Sequence, residues 1–366
     1  MKTIALVLAA LAISAPAHAQ LGGLGNAVKR AQQANDAKQK LDDLSFTAEE
    51  EQTIGLDVST KVRQRFGVVQ DPAVHKYVAL VGMTLAKASE RPELPWTFIV
   101  LDTDGVNAFA SPGGYVHITR GALGLIKNEA ELAGVLGHEI GHVTRKHTIN
   151  ALRKGSAVKI GTAAASTRAS FLGSVANRVY ENVLENAYDR GDELDADKVG
   201  VLLPAKVGYN ATALATFLQR LDDRNKDQAE RNGLFASHPD TKARIDKANA
   251  AGAEIKNAAL VEARYKSRIK YQAPALTAIA VVVEGSSGLA GGGKDEEKKE
   301  EPKKKGFGLG SLKQTVAPEK QSAQVSASGG ARGLGADRAA KGGSNPALVK
   351  APVTDAELSE FKKGIV

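Results

Sequence analysis

The 366-residue chain contains no cysteine. No disulfide can form, and no lipobox thiol can carry an acyl anchor. Long apolar runs are missing too. No stretch reaches the roughly 18 continuous apolar residues that a membrane helix needs. The small-residue segment from Lys154 to Asn177 is interrupted by Lys159 and Arg168. No internal repeat is present, so no tetratricopeptide array is there to recruit partners. Histidine is scarce, at 7 residues, so its placement carries information. The net charge is +8 and the pI about 9.4. That balance suits peripheral association with an anionic envelope surface, as well as plain solubility.

The start reads as a secretory leader over residues 1–19. Lys2 supplies the positive charge, Ile4 to Ile13 the short apolar run, and Ala17-His18-Ala19 the small-x-small cleavage site. The expected location is the periplasm, without lipid anchor or membrane span, which disfavours nucleic acid as a partner.

Composition then divides the chain. Residues 20–44 are a polar lead-in, and residues 45–272 carry periodic apolar positions enough for one core. Thr47 with Glu50, and Asp71 with Pro72, mark early helix starts, and Trp96 to Leu101 reads as a strand. Residues 273–285 form a linker, with Ala275 to Val283 prone to one last strand. From 286 to 366 the composition is Gly/Ser/Ala/Lys-rich, including Gly291-Gly292-Gly293 and the charged block Lys294 to Lys305. Such a segment buries too little to offset its ordering entropy and is expected to be largely disordered. Only Thr354 to Phe361, with Thr354 and Glu357 as a cap, predicts a terminal helix.

The motif that decides the reading is His138-Glu139-Ile140-Gly141-His142. On a helix, a spacing of four puts both imidazoles on one face, where they can grip one Zn²⁺. Glu139 lies about 100° around, able to reach a water but poorly placed as a ligand. The flanks agree with a helix. Asn128 with Glu131 predicts a capping box. Leu132, Leu136, Ile140 and Val143 face the core. Gly134, Gly137 and Gly141 fall on one side, where a strand or second helix can pack closely. Tolerated glycine in a glycine-rich chain is the bland alternative.

A catalytic zinc needs a third protein ligand and one open position. The pattern H-E-x-x-H-x-x-G-x-x-H fails, because Arg145 and Thr148 stand at its last two defined positions. A later acidic helix can serve instead. Tyr188-Asp189-Arg190-Gly191-Asp192-Glu193-Leu194-Asp195-Ala196-Asp197 opens one, and Glu193 and Asp197 share a face. Spacing leaves Asp192 and Asp195 as rivals for the ligand, and a merely solvated helix start as the alternative. His147, five residues beyond His142, rotates off the metal face and reads as a partly exposed helix residue. His117 belongs to a strand and His75 to an early helix. In Ser237-His238-Pro239, the proline suits a first helical turn, so Ser237 or His238 can act simply as its cap.

These residues resemble a known family. G-H-E-I-G-H-V-T-R-K-H, then E-L-D-A-D, then S-H-P is similar to the heat-shock protease HtpX and the CaaX prenyl endopeptidases, the gluzincin zinc metallopeptidases. The soluble periplasmic members are most similar, and the extra hydrophobic spans of the membrane-integrated ones are lacking here. The resemblance runs from about Phe46 to Tyr271. It includes a hairpin ahead of the metal helix, Asn107 to Val116 followed by Thr119-Arg120-Gly121. It implies Glu193 as the third zinc ligand and Asp197 as the partner of a ligating histidine. It also implies that His238 points into the active site, either stabilising an oxyanion or filling the open zinc position.

The expected fold is α+β: a mostly helical zincin-like domain with a small edge-strand sheet, followed by a disordered tail. The expected function is that of a metalloendopeptidase with one Zn²⁺ per chain. His138, His142 and Glu193 are its ligands, Glu139 its base and His238 a further catalytic group. Polypeptide substrates would add as a strand along Asn107, Ala108, Phe109 and Ala110. Misfolded or unassembled envelope proteins as substrates follow from the resemblance alone. The rival is a zinc-stabilised periplasmic chaperone or assembly factor with little peptidase activity.

Overall fold

The computed structural model describes residues 46–156, 167–185, 188–225, 238, 241–272, 283–284, 320–321 and 345–365. The expected leader, the lead-in, Ser237, Pro239 and most of residues 273–344 lie outside these.

Helix α1 (Ala48–Phe66) starts with a reciprocal cap. The Glu50 N–H donates to Thr47 Oγ1 at 3.2 Å, and the Thr47 N–H to Glu50 Oε2 at 3.1 Å. Helix α2 (Pro72–Ala86) is capped by Asp71 Oδ1, which accepts from Ala73 at 2.9 Å and Val74 at 3.3 Å. Strands β1 (Thr97–Leu101), β2 (Ala108–Ser111) and β3 (Tyr115–Thr119) form a sheet of order β1-β3-β2. β1 runs parallel to β3, and β2 pairs antiparallel with it as a hairpin. Alternation along β1 splits the core: Phe98 and Val100 pack with α2, while Ile99 and Leu101 pack with α1.

Helix α3 (Arg120–Leu125) follows, capped by Thr119, and then α4 (Glu129–Thr144), which carries the histidine motif. Asn128 Oδ1 accepts the Glu131 N–H at 2.9 Å. The Glu131 carboxylate reaches one residue further back than a capping box requires, to the Lys127 N–H at 2.9 Å. It is also gripped by Arg220 at 2.6 and 2.9 Å. The remaining helices are α5 (His147–Ser156), α6 (Arg168–Glu185), α7 (Arg190–Lys206), α8 (Ala213–Asn225), α9 (Thr241–Gly252) and α10 (Glu262–Arg268). Val283–Glu284 (β4) pairs antiparallel with Lys320–Gln321 (β5). No described helix is long and apolar enough to cross a membrane.

The glycine face of α4 receives α7 and α8. A Cβ on Gly134 would lie 2.9 Å from Leu214 Cβ, and one on Gly141 3.1 Å from Ala196 Cα. Gly200 of α7 is tighter still. Its Cβ would meet Leu214 Cδ2 at 2.7 Å, Gly134 O at 3.0 Å and His138 N at 3.1 Å. The space that Gly141 leaves is therefore filled by α7.

Within the stretch expected to be largely disordered, the terminal helix expected at Thr354 to Phe361 is present, and it is docked. Residues 345–365 pack on the domain. The Val68 N–H donates to Asn345 O at 2.7 Å, and Arg63 to Pro346 O at 2.8 Å. The terminal helix α11 (Asp355–Lys363) has the Thr354/Glu357 capping box. Leu358, Phe361 and Ile365 bury one apolar edge of it. The Arg264 guanidinium stacks 4.0 Å over the Phe361 ring. A helix this short is marginal alone, and tertiary burial explains its presence.

Two outcomes follow. Gly200→Ala should overpack the α4–α7 crossing and cost about 1–3 kcal/mol, read from a denaturant midpoint. Phe361→Ala should cost about 3 kcal/mol. An unchanged midpoint in the second variant would contradict docking of the terminal helix.

Candidate metal centre

Side chains from α4, α7 and the segment before α9 converge in the interior. His138, His142, Glu193 and His238 offer ligand atoms that all lie within 4.8 Å of one another. His138 Nε2 is 3.0 Å from His142 Nε2 and 3.2 Å from His238 Nδ1. Glu193 Oε1 is 2.8 Å from His238 Nδ1 and 3.5 Å from His142 Nε2. The four residues are 0–4% exposed.

Protonation limits what can sit among these atoms. His138 Nδ1 lies 2.9 Å from Asp197 Oδ1. Arg244 grips that carboxylate with two hydrogen bonds of 2.7 Å. Burial opposes charge on Asp197, but Arg244 and His138 outweigh it and hold its pKa well below the usual carboxylate range. An ionised Asp197 only accepts, so His138 donates its Nδ1–H to it, and Nε2 is the ring nitrogen left facing the cluster. Burial keeps the His142 pKa well below normal, so that ring is neutral. Glu193 is held well below its ordinary pKa: burial works against ionisation, and His238 and Arg244 overcome it. Its Oε2 lies 2.9 Å from Arg244 Nη1 without hydrogen-bond geometry. Inward-facing imidazole nitrogens, an ionised carboxylate and an orphaned oxygen suit a nitrogen- and oxygen-ligated cation such as Zn²⁺.

Glu139 stands apart. Both its carboxylate oxygens are buried and have no hydrogen-bond partner among the described residues. Burial raises its pKa. His238 Nε2, itself unpartnered, lies 3.8 Å from Glu139 Oε1. Burial pushes the His238 pKa down, but the Glu193 and Glu139 carboxylates outweigh it and raise it.

Several expectations change. Asp192 and Asp195 lie outside the cluster and face His147 Nε2 at 3.9 and 3.4 Å. His147 is not partly exposed but 4% exposed, with Nδ1 3.0 Å from His142 Nδ1. A straight helix would carry it away. Lys146, at φ 56°, breaks the chain there and turns it back. β2 is the outer strand of the sheet, yet Asn107, Ala108, Phe109 and Ala110 are 0–3% exposed. Helix α6 packs against the strand, and the Phe109 ring joins the apolar cluster with Phe66 and Val175. Asn107 Oδ1 is occupied by the Ala108 N–H at 2.9 Å. The side chains of this strand therefore form no open substrate surface.

Two contributors escaped the sequence reading. Arg244, 2% exposed, links Asp197, Glu193 and the His238 carbonyl, to which its Nη1 donates at 2.9 Å. Tyr188 stacks on His142 with ring centroids 4.0 Å apart. The only sequence signal for Arg244 was an arginine on the helix after the S-H-P motif, which many surface positions share.

Comparison with known proteins agrees with this geometry. The model of peptidase family M48 matches residues 72–251. The beta-barrel assembly-enhancing protease of Escherichia coli K12 is 26% identical over 226 residues, 57% of this chain and 46% of that protein. Its Yersinia pestis counterpart is 24% identical over 225 residues, 58% of this chain and 46% of the relative. The mitochondrial metalloendopeptidase OMA1 of Schizosaccharomyces pombe is 26% identical over 200 residues, 54% of this chain and 59% of the relative. The chain thus spans about half the length of the relatives it matches. The histidine helix and the acidic helix both lie inside the region, residues 72–251, that matches a peptidase family M48 domain.

Proposed function

We propose that the chain is a zinc metalloendopeptidase acting on polypeptides in the cell envelope. The observation that carries the reading is the buried convergence of His138, His142 and Glu193 beside an unpartnered Glu139. Those three residues would hold the zinc. Zinc supplies Lewis acidity, which makes a water acidic near neutral pH and polarises a peptide carbonyl.

The chain's own groups do the rest. Glu139 takes the water's proton on a carboxylate oxygen and returns it to the leaving amine nitrogen. Its dry surroundings raise its basicity toward that task. Asp197, fixed by Arg244, keeps the His138 proton on Nδ1 and leaves Nε2 for the metal. The position of His238 Nδ1 among the ligand atoms favours a blocking role over oxyanion binding. On that reading the described conformation is a closed form, and a substrate strand reaches β2 only when α6 moves away.

Misfolded or unassembled envelope proteins are the proposed substrates, after the relatives named for β-barrel assembly. The expected leader supports a periplasmic location. The closed site gives some weight to a second reading, an assembly factor with little turnover.

Glu139→Gln should abolish digestion of an unfolded protein, a loss of at least about 10²–10⁴-fold, with zinc content unchanged. Undiminished digestion at equal zinc would exclude Glu139 as the base. A zinc-loaded wild type that digests nothing, with or without chelator as control, would favour the assembly-factor reading.

His238→Ala should raise turnover of a short peptide. A fall of about 10²–10³-fold would assign it to the oxyanion instead. Unchanged turnover with a lowered melting temperature would reduce it to a cap.

A further inference from the structure

We infer that His147 is a positioning residue for His142, and that Asp195 anchors it, forming a relay from the metal centre to the protein surface. The inference rests on the zinc reading above.

The two ring nitrogens His142 Nδ1 and His147 Nδ1 are 3.0 Å apart, so one must donate and the other accept. If His142 Nε2 is to offer a lone pair inward, the proton of its neutral ring lies on Nδ1. His142 then donates outward, and His147 accepts on Nδ1. That places the His147 proton on Nε2, which faces Asp195 Oδ2 at 3.4 Å and Asp192 Oδ1 at 3.9 Å. The direction of the His142–His147 hydrogen bond is thereby set, and the His147 Nε2–H is turned toward Asp195. Outer-shell partners of this kind fix the tautomer and ring orientation of a ligating histidine.

The two ligands are served differently. His138 meets a carboxylate directly, in Asp197. His142 has an imidazole in between, and the Asp195 carboxylate that follows is 41% exposed. Several features build the arrangement. The left-handed Lys146 turn brings His147 back under α4, where its ring lies 5.0 Å from that of His142 at 78°. Lys146 holds the turn by an ion pair to buried Glu51. Tyr188 stacks on the His142 ring, so the ring is braced from two sides. Arg145 Nε pairs with Asp195 at 3.4 Å and orients its carboxylate.

A plain packing role makes a different prediction from an accepting role, and zinc affinity separates them. It is measured on the full chain by competition with a chromogenic chelator. His147→Ala and His147→Leu should weaken zinc binding by about 10–100-fold. His147→Asn should recover most of the loss, because its Oδ1 stands where Nδ1 stood and can accept from His142. Melting of the metal-free variants checks that each is folded. Should the alanine variant fail to fold, Asp195→Asn at the half-exposed end of the row takes its place, with a severalfold weakening expected. Wild-type affinity in the leucine or Asp195 variant, or an asparagine variant no tighter than the leucine one, would overturn the relay. A wild-type chain that binds no zinc would overturn the proposed function instead.

Discussion

Contact between the backbones of α4 and α7 is the constraint on which the rest depends. Gly137, Gly141 and Gly200 remove the side chains that would hold these helices apart. The acidic start of α7 then lies against the histidine face of α4, with Glu193 and Asp197 at 0% and 2% exposure. Burying two carboxylates costs several kcal/mol each unless partners meet them. Arg244 and the histidines are those partners. The crossing, the buried charges and the guanidinium are one arrangement: remove any part and the others lose their reason to be interior.

Legibility in the sequence followed the range of the interaction. Features set within a helical turn could be read directly: the Thr47, Asp71 and Asn128 caps, the strand at Thr97–Leu101, the i,i+4 histidines and the i,i+4 acids. The glycine face announced a close neighbour without naming it. Long-range features were hidden. Arg244 lies 47 residues from Asp197, and no local pattern marks an arginine as interior. A continuous helix through residue 147 puts His147 on the wrong side, and the Lys146 turn reverses that. A left-handed lysine is rare enough that no periodicity argument would introduce one. The terminal helix is legible in its Thr354/Glu357 cap, but its docking is not. Its three buried apolar residues are too few to signal a packing surface that only α2 and α10 reveal.

A closed centre also changes how the peptidase chemistry is framed. The groups that would act on a peptide are all within 4% of full burial, and the strand that would pair with substrate is covered. Burial raises the Glu139 pKa and holds the His142 ring neutral, while His238 and Arg244 keep Glu193 ionised against its burial. On the proposed reading, entry of a substrate would require α6 and His238 to shift from their described positions.

The most direct test of the central claim is X-ray absorption at the zinc edge of the purified, metal-loaded protein, beside its metal stoichiometry. The account predicts one zinc per chain in a nitrogen- and oxygen-only shell at about 2.0–2.1 Å, with outer-shell scattering from at least two imidazoles. No bound zinc, or zinc held by water and carboxylates without imidazole scattering, would contradict it.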